Sequence, residues 1–140
     1  MQGENQFQFR IVELKGTIMP KAIKIVIGRT TINADLFDSP CAGAIFSSLP
    51  IETRPNEWGD EFYFEIPVTM PLDESAIKRV KAGDIGYWPP GKALAIFFGP
   101  TPMSTGSDPV PASEVNLVGR IHDDPTLLRR EKGASKIRIE

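Results

Sequence analysis

Apolar and polar residues alternate with a period of two along much of this chain, which predicts strands. Phe7, Phe9 and Ile11 alternate with Gln8 and Arg10 in a strand continuing to about Leu14. Ile23, Ile25 and Ile27 are interleaved with Lys24 and Val26, and Ile32, Ala34 and Leu36 with Asn33 and Asp35. Gly28-Arg29 can turn the chain between them, so residues 22–37 read as an antiparallel hairpin. Asp38-Ser39-Pro40 supplies a helix start, and Pro50 stops the helix near Leu49. In 61–67, Phe62, Phe64 and Ile66 share one strand face and Glu61, Tyr63 and Glu65 the other. Residues 74–82 read as a short helix ended by Gly83. A strand over Val115–Ile121, a helical or turn segment after Asp123-Asp124-Pro125 and a last strand over Lys136–Glu140 complete the pattern. The expected fold is mainly β: a closed barrel of about eight strands with two or three short flanking helices.

The segment from Gly83 to Pro102 is the most informative. Pro89-Pro90-Gly91 cannot continue a ladder. Ala93–Phe98 has no polar interruption, so both faces of that strand are expected to be buried, and Gly99-Pro100-Thr101-Pro102 ends it. One face belongs to the barrel core. The other must be covered by a helix, a loop or a ligand.

One domain is expected from 140 residues, long enough to bury a core without a metal or disulfide staple. A fresh unit begins near Pro20, so residues 1–19 read as an N-terminal extension carrying an added strand, and 20–140 as the barrel. Phe7 and Phe9 of that strand would otherwise expose apolar area, so they are expected to pack on this protein or on a second copy, which leaves a homodimer through the extension open. A net charge of −2 argues against nucleic acid and against a polybasic membrane anchor. No apolar run reaches a membrane span, no signal segment begins the chain, and the lone Cys41 forms no internal disulfide. A cytoplasmic protein is the expectation.

Candidate chemistry is sparse. Trp58, Tyr63, Tyr87, Trp88 and Phe98 form a set of aromatics that line a ligand cleft, or else plug the barrel ends and pack under helices. Arg120 orients an anionic group or a peptide carbonyl, or makes a salt bridge to Glu61, Asp60 or Asp84. Thr101 offers a hydroxyl at the rim of the same cleft. Glu61 and Glu65 are a carboxylate pair two residues apart, suited to acid–base work only if burial separates their pKa values, and otherwise a solvated face. Cys41 with His122 would make a dyad if they met, but a small buried thiol is the simpler reading. A single His and no Cys-x-x-Cys leave no metal site, and no cofactor is expected.

The second half resembles a cyclophilin, through Phe97-Phe98, the loop 99–114 and the Val115-Asn-Leu-Val-Gly-Arg-Ile121 strand. More closely, the chain resembles a small prokaryotic family of uncharacterised proteins with the cyclophilin fold. The marks are Trp58-Gly59-Asp60-Glu61, Tyr87-Trp88-Pro89-Pro90-Gly91, Phe97-Phe98-Gly99-Pro100-Thr101-Pro102 and Gly119-Arg120-Ile121. The resemblance covers about residues 20–140 and implies an eight-stranded barrel, but no activity to carry over. True cyclophilins place an Arg beside a Phe-His, followed by Phe-Met and Gln-Gly-Gly; the nearest segment here, Phe62–Pro67, has no Arg, Gln or Gly-Gly. Phe98 stands where the isomerases have the Phe of their proline pocket.

The reading reached from the sequence is a binding domain for a small molecule or extended peptide, its site formed by Trp58, Glu61, Tyr63, Tyr87, Trp88, Phe98, Thr101 and Arg120. A prolyl isomerase with a non-standard site and a structural or oligomeric protein without ligand remain as alternatives.

Overall fold

A computed structural model of the chain describes residues 20–140. The expected strand over 7–14, the extension and any dimer through it lie outside the described residues.

The alternating isoleucines form the hairpin that their spacing predicts. Strands β1 (Lys21–Ile27) and β2 (Thr30–Leu36) pair antiparallel with Ile25 opposite Ile32 and Ile23 opposite Ala34. Gly28 turns the chain at φ +56°, where a side chain would be strained. Helix α1 (Pro40–Ser47) starts as its sequence dictates: Pro40 enters the first turn and the Ala42 N–H donates to the Ser39 hydroxyl at 3.1 Å. Strands β3 (Ile51–Thr53), β4 (Asn56–Glu57), β5 (Glu61–Glu65), β6 (Ala76–Ile77) and β7 (Asp84–Trp88) follow. A 3₁₀ turn over Pro89–Gly91 then leads into β8 (Ala93–Phe97), and β9 (Val115–Ile121), a 3₁₀ segment over Pro125–Glu131 and β10 (Ile137–Ile139) complete the chain.

The ladder runs β3-β10-β1-β2-β9-β7-β8-β5-β4, antiparallel throughout, with β6 added beside β9. The mainly-β class is as expected, and the sheet curls into a half-barrel with β3 and β4 at its two ends. The 74–82 segment is a correction: it is not a helix. Instead Ala76 pairs with Asn116 and Ile77 with Val115, and the Leu117 N–H donates to the Ser75 carbonyl. Sheet pairing outweighs the local helical composition.

Two hydrophobic clusters result. Inside the curl, Phe62, Phe64, Ile85, Tyr87, Leu94, Ile96 and Phe98 pack with the isoleucines of β1 and β2 and with Cys41, Ala42 and Ile45 of α1. The Phe62 and Phe98 rings meet at 4.7 Å between centroids. Outside it, Val80, Ala95, Phe97 and Val115 form a smaller cluster, with Tyr63, Ile77 and Trp88 half-buried against it. Strand β8 serves both, its odd positions facing outward and its even positions inward.

Phe98 has no solvent exposure and lies in the inner cluster. Phe98→Ala is expected to cost about 3–5 kcal/mol of stability, read from denaturant unfolding; a loss under about 1 kcal/mol would mean that the ring is not part of the core.

A candidate pocket on the outer face of the sheet

The outer face of β5 and β8 is set by register. Glu61 pairs with Phe97 and Tyr63 with Ala95, so these four residues project to the same side, away from the Phe62–Phe98 core. The β4–β5 turn brings Trp58 to the same place. Its Trp58 N–H donates to the Glu61 carbonyl at 3.0 Å, and Gly59 adopts φ +60° where a Cβ would meet the Pro100 carbonyl at 2.9 Å. The Asp60 N–H donates to Pro100 O and the Phe98 N–H to Asp60 O, both at 2.9 Å, which staples the turn to the segment after β8.

Trp88 ends β7, and Gly91 in the following 3₁₀ turn leaves room for its ring: a Cβ there would approach the indole to 2.9 Å. The Trp88 Nε1–H donates to the Ser113 hydroxyl at 2.6 Å, joining the ring to the end of the long loop. The loop closes over the outer face. Its fold is held by Thr101, whose Oγ1 donates to Val110 O at 2.5 Å and accepts from the Met103 N–H at 3.2 Å.

Between these elements is a pocket of about 150 Å³, lined by Trp58, Glu61, Tyr63, Trp88, Phe97, Pro111, Ala112 and Val115. Glu61 is its only carboxyl among the described residues. The residue is 7% exposed, and its Oε1 is buried with no hydrogen-bond partner among the described residues. Burial in these apolar surroundings pushes its pKa up from 4.5 to about 8. The neighbouring carboxylates have other company. Asp60 points away to Arg129 at 3.0 Å and Lys132 at 2.8 Å; burial opposes its ionisation, but these two cations hold its carboxyl below the usual range. Glu57 accepts from the Gly133 N–H at 2.5 Å, and Glu65 is exposed, 3.9 Å from Lys92. The carboxylate pair suggested by the sequence is therefore divided into one buried and one solvated group.

The structure brings four of the eight expected site residues together: Trp58, Glu61, Tyr63 and Trp88. The other four lie elsewhere. Phe98 is one strand position out of phase and belongs to the inner core. Tyr87 is out of phase in the same way; its hydroxyl donates to Val68 O at 2.6 Å and accepts from the Met70 N–H at 3.2 Å. Burial raises the Tyr87 pKa, although the Met70 N–H favours the phenolate. Thr101 organises the loop rather than lining the pocket. Arg120 is bound to Asp84, with Nε and NH2 both within 2.9 Å of Oδ1, the salt bridge that was the alternative to a ligand role.

Sequence reasoning missed Phe97, Val115, Pro111 and Ala112. For the first two a signal existed: once Tyr63 is assigned to the outer face, its strand partners take the same face. Which residues of 93–98 are those partners depends on the register, which one sequence does not disclose.

Other candidates resolve simply. Cys41 is buried, and desolvation raises its pKa although Asn116 hydrogen-bonds the thiol. His122 Nε2 lies 3.0 Å from Asp35, not in a dyad with Cys41. Among the described residues no three His, Cys, Asp or Glu side chains group to hold a metal, and no helix is long and apolar enough to cross a membrane.

Comparison with known proteins places this geometry in a family. The Cyclophilin-like family matches residues 21–140. The solution structure of a hypothetical protein from Archaeoglobus fulgidus superposes with a TM-score of 0.74 at 32% identity, over 91% of this chain and 98% of that one. No curated protein matches the chain. With the same barrel topology, the same family signature over nearly all the described residues and a relative of this identity, the chain belongs to the cyclophilin-like family.

Proposed function

We propose that this protein is a ligand-binding domain whose site is the outer pocket around Glu61, not a cleft at Phe98. One observation carries the reading: Glu61, with one carboxyl oxygen buried and unpaired among the described residues, lines a half-open pocket walled by aromatic side chains. An unpartnered buried polar group costs about 1–3 kcal/mol, and a ligand that supplies the missing hydrogen bond recovers it. The rest of the lining is of the kind that holds small molecules, with apolar walls and few polar groups. A cavity of about 150 Å³ accommodates a benzene-sized group. That size favours a small molecule, or a single side chain of a peptide. Binding is preferred to prolyl isomerisation because the described residues of the pocket lining include no Arg or Lys to polarise an imide.

Both tryptophans of the chain line this pocket, so tryptophan emission reports on it alone. Titration with 3,3-dimethyl-1-butanol, a compact amphipathic probe, is expected to change that emission and to shift both indole N–H signals in the NMR spectrum. Ala112 is an exposed rim residue, and Ala112→Phe should fill the mouth and abolish the response with a stability change within about 0.5 kcal/mol. A probe response that survives Ala112→Phe unchanged would place binding elsewhere.

The buried carboxyl also makes stability depend on pH. Its folded pKa lies above its unfolded one, so the folded state holds the proton more tightly. Its contribution is fully present below about pH 4.5 and is lost as pH rises towards about 8, at about 1.4 kcal/mol per pH unit. Glu61→Gln retains shape but cannot ionise. The variant should match the wild type in acid and be the more stable protein in alkali, as measured by denaturant curves across that range. A constant difference at every pH would show that Glu61 is not desolvated.

A further inference from the structure

We propose that the pocket takes an organic ammonium group, with the Glu61 carboxylate as its counter-ion and the rings of Trp58, Tyr63, Trp88 and Phe97 as its walls. The inference rests on the reading of this pocket as a binding site and names the chemistry it selects.

The argument begins with what Glu61 lacks. Buried carboxylates are normally compensated by a protein cation, as Asp84 is by Arg120, and the half-buried Asp60 has Arg129 and Lys132. Among the described residues, nothing in the lining does this for Glu61. From β4–β5 come Trp58 and Tyr63, from β7 Trp88, from β8 Phe97, from β9 Val115 and from the loop Pro111 and Ala112. Tyr63 is the only other ionisable group among them, and Glu57 and Asp60, its acidic neighbours in sequence, are turned to Gly133 and to the Arg129–Lys132 pair. When Glu61 ionises, no counter-charge faces it among the described lining residues, and a cationic ligand would supply one.

The walls favour the same ligand. Each aromatic face carries negative quadrupole potential, and rings around an ammonium attract it most when water is excluded. A neutral apolar guest would gain from area alone. A cation adds attraction to the rings and a counter-charge for the ionised carboxylate. The cavity is of a size for a methylated ammonium head or the end of an alkylamine, with any longer tail leaving past the Ala112 rim.

Binding is then coupled to a proton. In the empty pocket at neutral pH the carboxyl is mostly in its COOH form. Entry of the cation leaves COO⁻ beside it, and the displaced proton goes to solvent. No bond of the ligand is made or broken.

The test compares choline with its uncharged isostere, 3,3-dimethyl-1-butanol, by calorimetry on the wild type and on Glu61→Gln. Choline affinity should rise about tenfold per pH unit between about pH 6 and the Glu61 pKa, then level off. Its binding heat should vary with the ionisation enthalpy of the buffer, because a proton is released. The isostere should show neither effect, and Glu61→Gln should remove both. Equal, pH-independent binding of the two compounds to the wild type would overturn the ammonium assignment while leaving the pocket as a site. Choline binding whose pH dependence persists in Glu61→Gln would overturn it as well. Failure of both compounds to bind, with unchanged tryptophan emission, would overturn the ammonium assignment and the pocket together.

Discussion

Everything in this structure hangs on a strand that is covered on both faces. Ala93–Phe97 is paired with β5 on one side and β7 on the other, and all five residues are buried. Its inward residues, Leu94 and Ile96, complete the barrel core with the following Phe98. Its outward residues, Ala95 and Phe97, need a second cover, supplied by Val80, Val115 and the half-buried rings of Tyr63 and Trp88. Solvation of that outer face would expose apolar area at roughly 25 cal/mol per Å². The long loop after β8 answers this, and it does so incompletely. Where the loop arches from Thr101 to Ser113 it leaves the pocket between itself and the sheet.

Glu61 occupies the one place on that face where the sheet register puts a carboxyl under the arch, opposite Phe97. The backbone ladder fixes its Cα, and Trp58 and Trp88 take away the water that would solvate its charge. Two outcomes are open to such a group: find a counter-charge or hold a proton. For Glu61, burial without a counter-charge favours the second. The carboxylates of Asp84 and Asp60 took the other course, each with an arginine within 3.0 Å. The contrast between these three acids turns a packing arrangement into a candidate site, since of the three only Glu61 has a buried, unpaired oxygen among the described residues and lines a pocket.

Local rules account for much of what the sequence discloses. The hairpin of isoleucines, the Ser39–Pro40 helix start and the two-faced strand are all written in short-range patterns, and the structure has them. The errors share one cause. In Tyr87-Trp88 and Phe97-Phe98, adjacent aromatics occupy opposite faces, and an apolar run holds no polar residue to mark which is which. Tyr87 satisfies its hydroxyl with Val68 and Met70, a long-range contact that makes a core position suitable for a polar tip. Residues 74–82 have helical composition, yet pairing with β9 claims Ala76 and Ile77. Parity and pairing are properties of strands brought together from distant parts of the chain, so a single sequence reveals them only where one face is polar.

The central claim is that Glu61 is a desolvated, unpartnered carboxyl in the free protein. Carbon-13 NMR of the glutamate side-chain carboxyls, followed against pH and assigned with Glu61→Gln, measures this directly. The account predicts one carboxyl that titrates near 8, apart from the ordinary glutamates. A Glu61 signal that titrates near 4.5, the value for a solvated glutamate, would contradict it.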